Sequence, residues 1–336
     1  MTQEALPLPR AVVWQRLHSL TGLWFVLFLL EHLFTNSQAA LFFGDDGMWF
    51  VRSVNFLHNL PYLPLIELFL LGVPFGYHAI LGVRYLFTSR PNTIGASGRK
   101  PKLNYARNWA YTFQRISAWI LLFGLILHVW YMRFDIYPAV VKQGSQSYYF
   151  ANYQIDDGLY PLADRLDVKL YDEEAIEREK EEISKQLSKM ELVRQKLQQI
   201  EEESSSGKYV YNAETDSVYK SWQAYMLKMK YVLGLESKPL KKGQVVAVST
   251  NFGNIILLNV REAFKSVTKA IFYTLFVLAA CFHAFNGLWT FLITWGVLLS
   301  KKAQHKMVGV CYAIMGLMAF LGLMSIWGSY FVNLRN

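Results

Sequence analysis

The stretch QRLHSLTGLWFVLFLLEHL, residues 15–33, decides how the rest of the chain is read. From Leu17 to about Asn36 it is apolar apart from scattered hydroxyls, His18 and the pair Glu31-His32. About 20 apolar residues suffice for a helix to cross the ~30 Å hydrocarbon core of a bilayer. Ionisable side chains inside such a run are costly, and they persist where they face a bundle and have partners. Arg10 and Arg16 precede the run and Ser37-Gln38-Ala39 forms a small-x-small site, which are the marks of a cleaved leader. The apolar run is too long for a usual leader, and a disposable segment has no use for Glu31 and His32. The expectation is a retained membrane span.

Four more stretches share this character, at about 62–88, 108–134, 268–299 and 307–332. Hydrophobic residues make up 53% of the 336, aromatics 16% and charged residues 18%, a balance too apolar for a water-soluble domain. The expected fold class is an all-α membrane protein with five transmembrane helices, whose termini lie on opposite sides. The N-terminal tail (Arg10, Arg16), the second connection (Arg90, Arg99, Lys100 and Lys102, flanked by Arg84 and Arg107) and the fourth (Lys301, Lys302, Lys306) contain one acid, Glu4. The first connection instead holds Asp45, Asp46 and Arg52. The positive-inside rule then places the N-terminus and the basic loops in the cytoplasm and the C-terminus outside.

The third connection is unlike the rest. Of the 25 acidic residues, 20 lie in 135–263, against 17 Lys and Arg there, so a soluble acidic segment interrupts a basic, greasy protein. The organisation expected is a tail and three spans in 1–134, an extracytoplasmic insert in 135–263, and two spans in 264–336. Within the insert, residues 172–203 read as a helix of partly coiled-coil character, with Ile183, Leu187, Met190, Val193, Leu197 and Ile200 spaced 4, 3, 3, 4 and 3 apart. Ser204 to Gly207 end it, and a second amphipathic stretch at 217–233 breaks near Gly234 and Pro239. The plain expectation is a solvated helical hairpin. Gln244–Leu258 reads equally as a strand or as an approach along the membrane surface.

Several chemistries are excluded. Cys281 and Cys311 both sit in apolar runs, so there is no disulfide scaffold, CxxC redox pair, thiolate zinc site or CxxCH haem attachment. No P-loop, dinucleotide fingerprint or Ser/His/Asp pattern is present.

The histidines carry the functional signal. His32, His78, His128 and His283 fall singly in four different spans. One such histidine is most simply an interhelical hydrogen bond; four, one to a helix, point to axial ligation of haem iron by paired imidazoles, which suits electron transfer. Depth pairs them. At 1.5 Å per residue His32 lies about 24 Å beyond Arg16 and His128 about 32 Å beyond Arg107, both in the outer half. His78 comes ten residues before Thr88 and His283 seventeen before Ser300 on helices running inward, nearer the cytoplasm. Small residues a turn away, Gly82, Gly124 and Gly287, leave room for a flat macrocycle beside three of the four, whereas His32 has Phe28 and Asn36. His18 and Arg16 at the inner mouth and Arg115 two turns into the third span are candidates for haem propionates or quinone, with interfacial anchoring and snorkelling as the plainer readings. Glu67, about 16 Å outward of His78, is the candidate proton donor or acceptor for quinone, set against a structural hydrogen bond. His58 and His305 read as surface residues.

These residues resemble a known family, the cytochrome b membrane anchors of succinate dehydrogenase and fumarate reductase in their single-chain, five-helix, di-haem form. The strings that carry the resemblance are QRLHSLTGLWFVLFLLEHL (15–33), FGYHAILGV (75–83), YARNWAYTFQRISAWILLFGLILHVWYMR (105–133) and FHAFNGLWTFLITWG (282–296). The resemblance implies that His32 and His128 hold one haem b and His78 and His283 the other. It implies flavoprotein and iron-sulfur partner subunits, quinone as substrate with menaquinone favoured, and a bacterial inner membrane location. Succinate chemistry belongs to the partners, nucleic acid has no place, and homo-oligomers of the complex are left open. The insert of about 110 residues departs from the family's short connection. Two rival readings are the di-haem anchor of another dehydrogenase, such as a hydrogenase, and a haem-free scaffold tethering an outer partner through the coiled coil.

Overall fold

The computed structural model describes residues 9–40, 47–88, 105–206 and 212–335. Glu4, Asp45, Asp46, Gly207 and most of the basic second connection, with Arg90, Arg99, Lys100 and Lys102, lie outside the described residues. Contacts divide the chain into a membrane unit, Met1–Phe134 with Ala263–Arg335, and an insert unit, Asp135–Glu262.

Along the chain, α1 (Arg10–Ser37) is followed by α2 (Met48–His58), a helix of the first connection that hydropathy does not announce. Next come α3 (Leu63–Ile66) and α4 (Val73–Thr88), joined by a π-helical stretch, Glu67–Gly72, and then α5 (Ala106–Trp130), which ends in a second such stretch, Tyr131–Asp135. The insert runs β1 (Ala139–Gln143), β2 (Gln146–Gln154), α6 (Leu159–Arg165), β3 (Lys169–Tyr171), α7 (Glu173–Ser205), α8 (Ala213–Leu235), β4 (Gln244–Ser249) and α9 (Phe252–Ala263). The chain returns with α10 (Val267–Thr294) and α11 (Lys301–Leu323), which passes through a third π-helical stretch, Met324–Gly328, into α12 (Ser329–Arg335).

Five helices are long and apolar enough to cross a membrane: Arg10–Ser37, Leu63–Thr88, Ala106–Asp135, Val267–Thr294 and Lys301–Leu334. They leave large side chains uncovered, with Ile80 70%, Phe123 60% and Ile271 59% exposed. An apolar surface of that extent belongs in hydrocarbon, and the protein is a multi-pass membrane protein. Inside the bundle, α10 packs on α1, α5 and α11. Small residues permit the closest approaches, as expected where van der Waals contact replaces the hydrophobic effect. A Cβ at Gly322 would meet Val277 Cγ1 at 2.5 Å, and one at Gly124 would meet the Phe276 ring at 2.5 Å.

Local chemistry explains the breaks in the spans. Pro74 has no N–H to give the carbonyl four residues back, and that oxygen, on Leu70, accepts the Trp24 indole N–H at 2.6 Å. The fourth span is shorter than its apolar run, which the sequence reading carries to 299. Gly296 at φ 72 takes the left-handed position, its N–H bonds Ile293 O and that of Val297 bonds Leu292 O. This Schellman closure ends α10 whatever the hydropathy beyond it. Ser300 then caps α11 by accepting from the Ala303 N–H.

The insert corrects the expectation of a helical hairpin alone. A four-stranded antiparallel sheet, order β1-β2-β4-β3, accompanies it. Gly144 at φ 60 starts the two-residue β1–β2 loop, where a hairpin turn requires positive φ. Gln244–Leu258 is both strand and helix, β4 followed by most of α9. On one face of the sheet Phe150, Val246 and Val248 form a core with Ile176 of α7 and Leu235 of α8. On the other, Tyr149 packs against Phe252, and the Tyr153 hydroxyl reaches Ile255 O at 2.9 Å and Asn259 Oδ1 at 2.6 Å in α9. Burial takes the Tyr153 hydroxyl pKa well above its ordinary value. In α7 the expected seam faces α8 at Met190 and Leu197, but Leu187 is 56% exposed and lies off it. Lys228 ties α8 back to Glu182 (2.6 Å) and Glu179 (3.5 Å).

Candidate functional site

The membrane unit brings the four span histidines together in twos. The rings of His32 (α1) and His128 (α5) lie 5.9 Å apart between centres with planes at 84°. Those of His78 (α4) and His283 (α10) lie 6.5 Å apart at 75°. Thr21, which touches His78, precedes His32 by eleven residues of α1, so the two levels are about 16 Å apart.

Hydrogen bonds fix how two of these rings face. His78 Nδ1 lies 3.1 Å from the carbonyl oxygen of His18, which can only accept, so Nδ1 carries the proton. Thr21 Oγ1, 3.1 Å away, has its own proton committed to backbone carbonyls of Leu17 and His18 and accepts as well. His283 Nδ1 is 3.2 Å from Ser117 Oγ; with the Ser117 proton given to Gln114 O, His283 is the donor. Both rings therefore keep Nε2 as a free lone pair, the state in which imidazole binds a metal. His128 Nδ1 lies 3.1 Å from the Tyr273 hydroxyl, and Tyr273 is 8% exposed. Gln114 bridges the same helices, donating to His283 O at 3.2 Å and accepting from Asn286 Nδ2 at 2.8 Å. None of these partners is singled out by the sequence, because hydroxyls and amides recur throughout the spans.

The glycines divide differently from the sequence reading. Gly82 makes room for His18, whose Cε1 a Cβ would meet at 3.7 Å, and Gly124 accommodates the Phe276 ring. Gly22, not marked by the sequence reading, lies against His78, with Cε1 3.2 Å from its virtual Cβ.

The other candidates fall around the pairs. His18 stacks on His78 at 4.0 Å and 15°, and its buried Nδ1 has no hydrogen-bond partner among the described residues. Arg16 lies over the Trp295 ring at 4.8 Å. Arg115 donates to Leu86 O at 3.4 Å and lies 5.7 Å from the Tyr111 ring centre. Glu67 is in an ion pair with Arg133 at 2.9 Å, linking two π-helical stretches. His58, at the end of α2 and outside the spans, has its pKa lowered by desolvation and then by Arg133, with Glu67 opposing. His305 is exposed on α11.

Among the described residues no group of three or more metal-ligating side chains occurs. Paired imidazoles suit a macrocycle that brings its own equatorial nitrogens and asks the protein for two axial ones. Spacing tests the fit. With metal–imidazole bonds of about 2.0 Å and a ring nitrogen about 1.1 Å from its ring centre, two imidazoles across one ion have centres about 6.2 Å apart. The observed 5.9 and 6.5 Å fall on either side.

Fold and site together define a multi-pass helical membrane protein with two facing imidazole pairs stacked in its bundle. Over 125 residues the chain is 34% identical to the succinate dehydrogenase cytochrome b558 subunit of Bacillus subtilis (strain 168), a match covering 37% of this chain and 56% of that protein. The chain thus spans little more than half the length of that relative, and the resemblance to succinate dehydrogenase cytochrome b anchors is borne out over this part. No family model and no solved structure matches.

Proposed function

We propose that this chain is the di-haem b membrane anchor of a succinate:quinone oxidoreductase, carrying electrons between iron-sulfur and flavoprotein partner subunits and quinone in the bilayer. The observation behind it is the two imidazole pairs at two levels, with ring centres 5.9 and 6.5 Å apart. His32 and His128 would hold one haem b, and His78 and His283 the other; when bound, these groups supply one-electron redox chemistry.

The chain itself supplies orientation and a dry setting. Thr21, the His18 carbonyl and Ser117 hold Nδ1–H so that Nε2 of His78 and His283 stays a lone pair. Arg16, His18 and Arg115 belong to the His78–His283 side and are the candidate donors for propionates. Glu67, paired with Arg133, is the titratable group proposed to exchange a proton with quinone, for which menaquinone is favoured by the resemblance. The basic loops and N-terminus are assigned to the cytoplasm, where the partner subunits dock, and the insert and C-terminus to the outer face of a bacterial inner membrane.

Replacing His78 or His283 should remove one haem and replacing His32 or His128 the other, with the partner subunits still co-purifying. A single replacement that abolishes both haems in a folded protein contradicts the pairing. Co-purification of a hydrogenase or another dehydrogenase instead contradicts the assignment of partners.

A further inference from the structure

The hydroxyls that hold the histidines follow a crossed pattern. On α5, Ser117 lies eleven residues before His128 and meets His283 of α10. On α10, Tyr273 lies ten residues before His283 and meets His128 of α5. Each of these antiparallel helices thus carries a histidine at one level and the prop for the other helix's histidine at the second level. Their close approach, with Gly124 against the Phe276 ring, makes both bonds reachable. α1 repeats half of this, since Thr21 lies eleven residues before His32 and accepts from His78. The remaining half would fall ten or eleven residues before His78, at Leu68, which has no polar side chain, or at Glu67, whose carboxylate is paired with Arg133. Among the described residues no hydrogen bond reaches the His32 ring, which stacks on Phe28 at 5.3 Å and 25°.

We infer that Thr21, Ser117 and Tyr273 are positioning residues that set the two haem sites apart: the His78–His283 site is propped at both imidazoles, and the His32–His128 site at one, by Tyr273. The inference rests on the di-haem reading. An acceptor on Nδ1–H makes the imidazole a better electron donor, and this stabilises the oxidised iron and lowers its potential. Were His128 to hold the iron through Nε2, its Nδ1 would carry the proton and Tyr273 would accept it. Removing one prop therefore raises the potential of one haem and leaves the other where it was.

The test is a redox titration of the purified complex, followed optically and by electron paramagnetic resonance, for the native protein, Ser117→Ala, Ser117→Thr and Tyr273→Phe, with haem content measured in each. Histidine replacements assign the two signals. Ser117→Ala should raise the potential of the His78–His283 haem by about tenfold in its reduction equilibrium, which is about 59 mV for a one-electron couple. Tyr273→Phe should raise that of the other haem alone, and Ser117→Thr, which keeps the hydroxyl, should titrate like the native protein. If a variant sheds haem, selective loss from the site it props agrees with the inference, and loss from the other site overturns it. It is also overturned if both variants move the same haem, if neither moves with two haems present, or if Ser117→Thr moves as far as Ser117→Ala. A native complex without two haems fails earlier, and refutes the di-haem reading itself.

Discussion

Glu67 and Arg133 join two π-helical stretches through a 2.9 Å ion pair in which both side chains are about two-fifths exposed, 37% and 42%. In water such a pair contributes at most about 1 kcal/mol, so it is a weak reason to place a carboxylate at the end of a span. The Glu67→Gln variant keeps shape and a hydrogen-bonding group, and should retain both haem spectra while losing most quinone-coupled activity. Full activity would reduce Glu67 to a structural partner and move the search for quinone to Arg16 and His18. His58, nearby, gives a pH dependence. Its folded pKa lies below 6.5, so at and below that pH the unfolded chain binds more protons, and stability falls as pH drops through about 6.5. The His58→Gln variant should flatten the fall in Tm between about pH 7 and 5; an unchanged slope contradicts this account. At this scale the sequence discloses the histidines, because ionisable groups stand out in apolar runs. It conceals their props, because a serine or tyrosine inside a span looks like any other.

The elements were legible where one physical term dominates. Hydropathy locates all five spans but misjudges the end of α10, because Gly296 acts through backbone conformation, to which an apolar count is blind. The π-helical stretches are invisible for a similar reason: near Pro74 it is the Leu70 carbonyl, which the proline cannot serve and Trp24 does, that matters. In the insert, heptad spacing foretells α7, whereas β1 and β3 are too short to show alternation, β1 being held by its hairpin with β2 and β3 by pairing with the distant β4. Gly234 marks where helix and sheet are pressed together, since a Cβ there would meet the Phe150 ring at 2.6 Å. Overpacking of this kind costs about 1–3 kcal/mol. Gly234→Ala should therefore speed hydrogen exchange of the Val245–Val248 amides in the full chain, and unchanged protection would show that the ring gives way freely.

For the whole molecule, two histidine pairs about 16 Å apart on antiparallel helices would, with haem in both, make a path along the bundle rather than a single pocket. Moving one charge through 100 mV involves about 2.3 kcal/mol, so turnover in sealed vesicles should respond to an imposed membrane potential, and indifference to it would argue against transfer between the levels. Neutralising Arg99, Lys100 and Lys102 should loosen the partner subunits from the membrane, and full retention at ordinary salt would place their docking elsewhere. The first expectation follows from the central claim that the four span histidines hold two haems, the second from the cytoplasmic assignment of the basic loops. Pyridine haemochrome quantitation against amino-acid analysis of the purified chain tests it most directly: about two haem b per chain is the result predicted, and one or none would contradict it.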